Sequence, residues 1–188
     1  MAWVWSFGIK FNCLEDCEQV KATINKVTLS DKTEINLSKY ISYKNEDTSL
    51  KECTLHFMLE NMQVAGNQKL LSYPFYYEIR DTFYKFLLDM KVNFSEALFE
   101  FEGADRIAYD EIIDHINQHG IGEILNSDNS ADLKVSDTIY QNKRLLDGLV
   151  LSNEKFVRLN KEYSKFFKPF KSGYYWLPLI KHPDSADL

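Results

Sequence analysis

The chain has 188 residues, 45% apolar and 27% charged, with a net charge of −6. That composition suits a globular protein with a real core and excludes the low-hydrophobicity, high-charge pattern of a disordered chain. No apolar run is long enough to span a bilayer, the first residues lack a secretory-signal pattern, and three cysteines without framework spacing point to a reducing compartment, so a cytoplasmic location is expected.

From Trp3 to Phe11 the odd positions Trp3, Trp5, Phe7, Ile9 and Phe11 are large and apolar, while the even ones are small or polar. Period-two alternation predicts a strand, and its heavy aromatic face predicts a central one covered by helices. Asn12 is expected to N-cap a helix over 13–26, with Glu15 closing a capping box and Leu14, Cys17, Val20, Ile24 and Val27 at helical spacing. Ile35, Leu37, Ile41 and Tyr43, then Cys53, Leu55, Phe57 and Leu59, alternate on either side of a polar turn at 44–49, which predicts an antiparallel pair. A loop follows at 63–69. Pro74 opens a helix over 74–91 with the stripe Tyr76, Ile79, Phe83, Phe86, Leu87 and Met90. Ala97, Phe99 and Phe101 alternate with Glu96, Leu98, Glu100 and Glu102, a strand with one wet face. Strand, helix, strand, strand, helix, strand is the split βαββαβ, ferredoxin-like order. The expected class is therefore α+β, with residues 1–102 as its first unit.

Gly103 turns into a helix over 104–119, lined by Tyr109, Ile112, Ile113 and Ile116, and Gly120 is its expected C-cap. A polar loop at 126–132 and a short helix at 136–146 follow. Leu149 to Leu151 reads as a brief strand. Ser152 then caps a helix ended by Pro169. Phe156, Leu159, Tyr163, Phe166 and Phe170 form its buried face, and Arg158, Lys161, Lys165 and Lys168 line another, a basic helix over 155–168. Tyr174 to Ile180 is an aromatic strand. Residues 103–181 are thus expected to be a helix-rich extension packed on the same core, with 182–188 a loose tail.

Charge is unevenly placed. Residues 96–137 hold eleven acids against two bases, and residues 138–181 hold nine bases against three acids. Such asymmetry either steers a charged partner or reflects two regions that attract each other within the fold. Glu111, His115 and His119 lie four apart on one helix and are candidate metal ligands, but the Glu of H-E-x-x-H is absent, so no general base stands beside them. Glu100 and Glu102 are candidates for paired acid–base work, a role that needs partly buried settings. Cys13, Cys17, Cys53 and His56 are zinc-ligand types, but Cys53 and His56, three apart in a strand, point to opposite faces. No phosphate-cradling glycine loop and no nucleophile elbow occurs, and no cofactor is expected. The first hundred residues carry more acids than bases and lack a basic, glycine-containing RNA-binding signature, so nucleic acid is a poor partner for them.

The stretch D-G-L-V-L-S-N-E-K-F-V-R-L at 147–159, followed by F-K-P-F and W-L-P-L-I, resembles the C-terminal part of immunity proteins of bacterial polymorphic toxin systems. The matching positions, Val150, Ser152, Phe156, Leu159, Phe170 and Pro178, are structural. The resemblance implies a cytoplasmic protein that blocks a toxin by binding it. The expected function is accordingly a non-enzymatic protein-binding module, an immunity-type inhibitor. Its contact surface would be acidic, centred on Glu100, Glu102, Asp110, Glu111 and Asp114, because acidic surfaces suit partners that act on nucleic acid. The alternatives are a small enzyme using Glu and His residues near 100–119, and a nucleic-acid-associated component using the basic helix.

Overall fold

The structure, a computed structural model, describes residues 5–43, 52–60, 76–101, 111–121, 146 and 148–178. The turn at 44–49, the loops at 63–69 and 126–132, the start of the helix at 104–110, the helix at 136–146 except for Leu146, and the tail at 182–188 lie outside the described residues.

The class is α+β: helices on an antiparallel sheet. In chain order the elements are β1 (Trp5–Phe11), α1 (Leu14–Lys21), β2 (Lys26–Thr28), β3 (Glu34–Tyr43), β4 (Cys53–Leu59), α2 (Tyr76–Asp89), β5 (Glu96–Phe101), α3 (Ile112–His119), β6 (Val150–Ser152), α4 (Asn153–Phe156), α5 (Lys161–Ser164), β7 (Lys168–Lys171) and β8 (Tyr174–Trp176). The strands form one eight-stranded sheet in the order β2-β3-β4-β1-β5-β6-β8-β7, with every pairing antiparallel. β1 lies between β4 and β5, as its aromatic face suggested. The pair β3–β4 has the register Tyr43↔Cys53 to Leu37↔Leu59.

One face of the sheet carries the larger core. Phe7, Ile9, Phe11, Leu55, Phe57, Ala97 and Phe99 meet Cys17 and Val20 of α1 and Ile79, Phe83, Tyr84 and Leu87 of α2. Phe83 stacks on Phe7 at 4.4 Å between ring centroids and on Phe99 at 5.5 Å, so one helix residue joins β1 to β5. Tyr84, one residue on, reaches the rings of Trp176 at 6.1 Å and Phe170 at 6.5 Å. α2 therefore spans from β1 to the β7–β8 hairpin. Lys171 of β7 closes the helix, its Nζ donating to the carbonyls of Leu87 and Met90 at 2.8 Å each, and burial lowers its pKa. The opposite face is apolar where β5, β6 and β8 run: Leu98, Leu149, Leu151 and Leu177 pack with Ile112, Ile113 and Ile116 of α3 and with Leu159 and Phe167.

Four expectations are corrected. The first helix spans Leu14–Lys21, not 13–26, and Val27 is a buried strand residue of β2. Thr23, Ile24 and Asn25 are weak helix formers, the Thr23 hydroxyl donates to the Val20 carbonyl at 2.7 Å, and Lys39 Nζ takes the carbonyls of Lys21 and Ile24. Its N-cap is Cys13, without a side-chain cap, rather than Asn12 in a capping box. The wet face expected for β5 is dry at its start, since Glu96 and Leu98 are both buried, covered by elements that follow in the chain.

The fourth correction is the long helix after Ser152. Ser152 does cap a helix, accepting from the Lys155 N–H, but α4 ends at Phe156 and α5 is separate. Asn117 of α3 imposes the break: its side chain accepts from the Asn160 N–H at 2.8 Å and donates to the Arg158 carbonyl at 3.0 Å. Backbone groups that would continue a helix are thereby claimed from outside it. Pro169 lies in β7, the last strand of the sheet, where its missing N–H does no harm.

Candidate functional site

α3 presents the acidic residues within the described structure. Ile112, Ile113 and Ile116 bury its inner side, while Glu111, the residue before its first turn, and Asp114, within it, are exposed. Acids at a helix start are favoured by the unpaired N–H groups there. Of the other residues expected on this surface, Glu100 stands opposite Ser6 in the β1–β5 ladder, and Glu102 and Asp110 lie outside the described residues. Asp114 faces the Arg158 guanidinium at 3.8 Å, both groups about half exposed, a pair that contributes at most about 1 kcal/mol.

The charge asymmetry is partly internal. Glu96, the first acid of the acidic segment, is 1% exposed, and its Oε1 lies 3.0 Å from Nζ of Lys155, 7% exposed, in the basic segment. Lys155 is thus a core residue rather than part of a solvated stripe. With the chain broken at Asn160, Arg158, Lys161, Lys165 and Lys168 share no helix, so the basic helix over 155–168 is absent and its nucleic-acid reading loses its scaffold.

Beside this ion pair the second face of the sheet turns polar, a feature not foreseen from the sequence. Across β3, β4, β1 and β5, Ser42, Thr54, Lys10 and Glu96 stand in register; in the adjacent register line are Tyr40, His56, Gly8 and Leu98. Lys10 is 1% exposed and His56 fully buried. The His56 ring stacks on Tyr40 at 4.1 Å, and its Nε2 is 2.7 Å from Ser42 Oγ. Lys10 Nζ pairs with Glu52 Oε2 at 3.7 Å and has no hydrogen bond among the described residues; the same is true of Glu96 Oε2. A buried ammonium without hydrogen bonds is expensive.

Of the metal candidates, Glu111 precedes α3, His115 is half-buried within it, and the helix ends at His119. No group of three or more His, Cys, Asp or Glu side chains that could hold a metal ion occurs among the described residues. Cys53 belongs to the larger core and His56 to the polar face, as the alternation of a strand requires. No helix among the described residues is long and apolar enough to cross a membrane. Comparisons with protein-family models, with curated proteins and with solved structures find no match for this chain.

Proposed function

We propose that the protein is a non-enzymatic binding module, an immunity-type inhibitor acting in the cytoplasm, which holds a toxin or effector protein through the acidic surface of which Glu111 and Asp114 are the described part. One observation carries this reading: three buried isoleucines fix α3 on the sheet while Glu111, just before its first turn, and Asp114, within it, are exposed. A fixed helix presents charge without an ordering cost on binding. The same proposal takes residues 1–102 as a split βαββαβ unit, with β1, β3, β4 and β5 as its strands, α1 and α2 as its helices and β2 as an addition. The neighbour order β3-β4-β1-β5 supports it.

The test is co-purification of the tagged chain from its native host, followed by titration calorimetry with the protein that accompanies it. The double variant Glu111→Lys, Asp114→Lys is expected to bind at least about tenfold more weakly at low salt, because charge reversal acts on steering and complementarity. The variant should remain folded, its unfolding free energy lowered by no more than about 2 kcal/mol through loss of the helix-start acids and of the Asp114–Arg158 pair. Unchanged affinity would remove this surface from the reading.

A second reading, a small enzyme, is favoured by one contact: Ser42 Oγ and His56 Nε2 lie at the separation of a nucleophile and its base. It places the chemistry on the polar sheet face and not among residues 100–119. Covalent labelling of Ser42 by a fluorophosphonate, lost in His56→Ala, would support it; no labelling would count against it.

A further inference from the structure

The outermost strands of the sheet are β2 and β7. Unpaired strand edges recruit further strands, and folds blunt them with shortness, lysine, proline and bulges. β7 has Lys168, Pro169 and Lys171 and an irregular register against β8. β2 is three residues long and opens on Lys26. It covers only Glu34 to Asn36 of the ten-residue β3, after which the Leu37 N–H meets the Asn25 carbonyl. From Ser38 onward β3 is itself an edge.

Alternation fixes which groups stand on that edge. The Glu60 N–H donates to the Asn36 carbonyl, continuing the β3–β4 register by one residue. Ser38, Tyr40 and Ser42 therefore turn their backbone groups to β4, while Lys39 and Ile41 turn theirs away. No backbone group among the described residues meets the outward N–H and carbonyl groups of Lys39 and Ile41. Tyr40 and Tyr43 beside them are 38% and 45% exposed. The one charged side chain of this stretch does not guard it. Lys39 Nζ is turned back onto the carbonyls of Lys21 and Ile24 and onto Asn25 Oδ1, which together use its three donors.

We propose that this edge binds a second copy of the chain, β3 pairing antiparallel with β3 about a twofold axis beside Ile41. The strand is complementary to itself. Its outward groups all fall on odd-numbered residues, so rotation about Ile41 brings each Ile41 N–H to the Ile41 carbonyl of the other copy. Tyr40 then stands beside Ser42 of the copy, and no like charges meet across the pair. With β7 blunted and β2 short, the second copy brings no further open edge, so the association closes at two rather than growing into a fibre. The surface is separate from the acidic residues of α3.

The full-length protein is studied over a wide range of concentration by sedimentation velocity and by amide hydrogen exchange. Expected is a shift from monomer to dimer as concentration rises. The Lys39 and Ile41 amides should gain protection in step, while those of Tyr40 and Ser42, bonded within the sheet, are slow throughout. Ile41→Pro removes an outward N–H and no bond of the β3–β4 ladder, and is expected to weaken association at least about tenfold. A monomer at every concentration would overturn the proposal. So would a dimer that leaves the Ile41 amide unprotected. Protection of Ile41 that appears only with the protein that co-purifies with the chain would also overturn it, assigning the edge to that partner's strand. Should Ile41→Pro fail to fold, the two wild-type measurements decide.

Discussion

Glu96 and Lys155 are each too buried to stand alone, and the 3.0 Å contact between them satisfies one carboxylate oxygen and the ammonium together. Removing one partner leaves an uncompensated charge, so Glu96→Gln is expected to cost about 3–5 kcal/mol in urea unfolding, whereas Glu96→Leu with Lys155→Met should return to within about 1 kcal/mol of wild type. A Glu96→Gln variant that loses less than about 1 kcal/mol would show the pair to be solvated. Lys10 differs. Among the described residues its ammonium has a 3.7 Å contact with the partly exposed Glu52 carboxylate and no hydrogen bond, so Lys10→Met is expected to stabilise by about 1–3 kcal/mol. A loss of that size in the same assay would mean that Lys10 is satisfied in a way its contacts do not reveal. The odd positions of β1 were legible because they are uniformly bulky. The burial of Lys10 and Glu96 was not: a charge in an alternating strand reads as solvent-facing, and the elements that cover Glu96 come more than fifty positions later.

At the scale of elements, the stretches that declared themselves were those whose own side chains decide their state. The apolar stripe of α2 and the alternation of β3 and β4 needed no distant partner, and both stand within a few residues of expectation. The helix expected from 153 to 168 failed for the converse reason. Its periodicity is genuine, but Asn117, forty-three positions before Asn160, takes its backbone groups at the break. Asn117→Ala is expected to cost about 1 kcal/mol, since an N–H and a carbonyl at exposed residues exchange their protein partner for water, and to raise hydrogen exchange at Asn160 selectively. Exchange at Asn160 unchanged from wild type would mean that local sequence alone sets the break. The candidate site follows the same division. The acids at 111 and 114 could be read from charge alone, whereas Ser42 and His56 meet only because β3 and β4 pair in one register.

At the scale of the molecule, the two halves of the chain are one sheet. β5 of the first half pairs with β6 of the second through Glu96↔Leu151 and Ala97↔Val150. Val150 and Tyr174 belong to the larger core, and Leu98 belongs to the smaller one. The strands at 149–151 and from 174 were legible; their place in the sheet was not, because the order β5-β6-β8-β7 is set by long-range pairing that no local pattern encodes. Sharing of both cores predicts a single cooperative unit. Native-state hydrogen exchange tests this most directly. The slowest amides of β1, β4, β6 and β8 should converge on one opening free energy, equal to that of global unfolding. A β6–β8 group that opens at a distinctly lower free energy, leaving β1 and β4 protected, would contradict it and make the second half a separable unit.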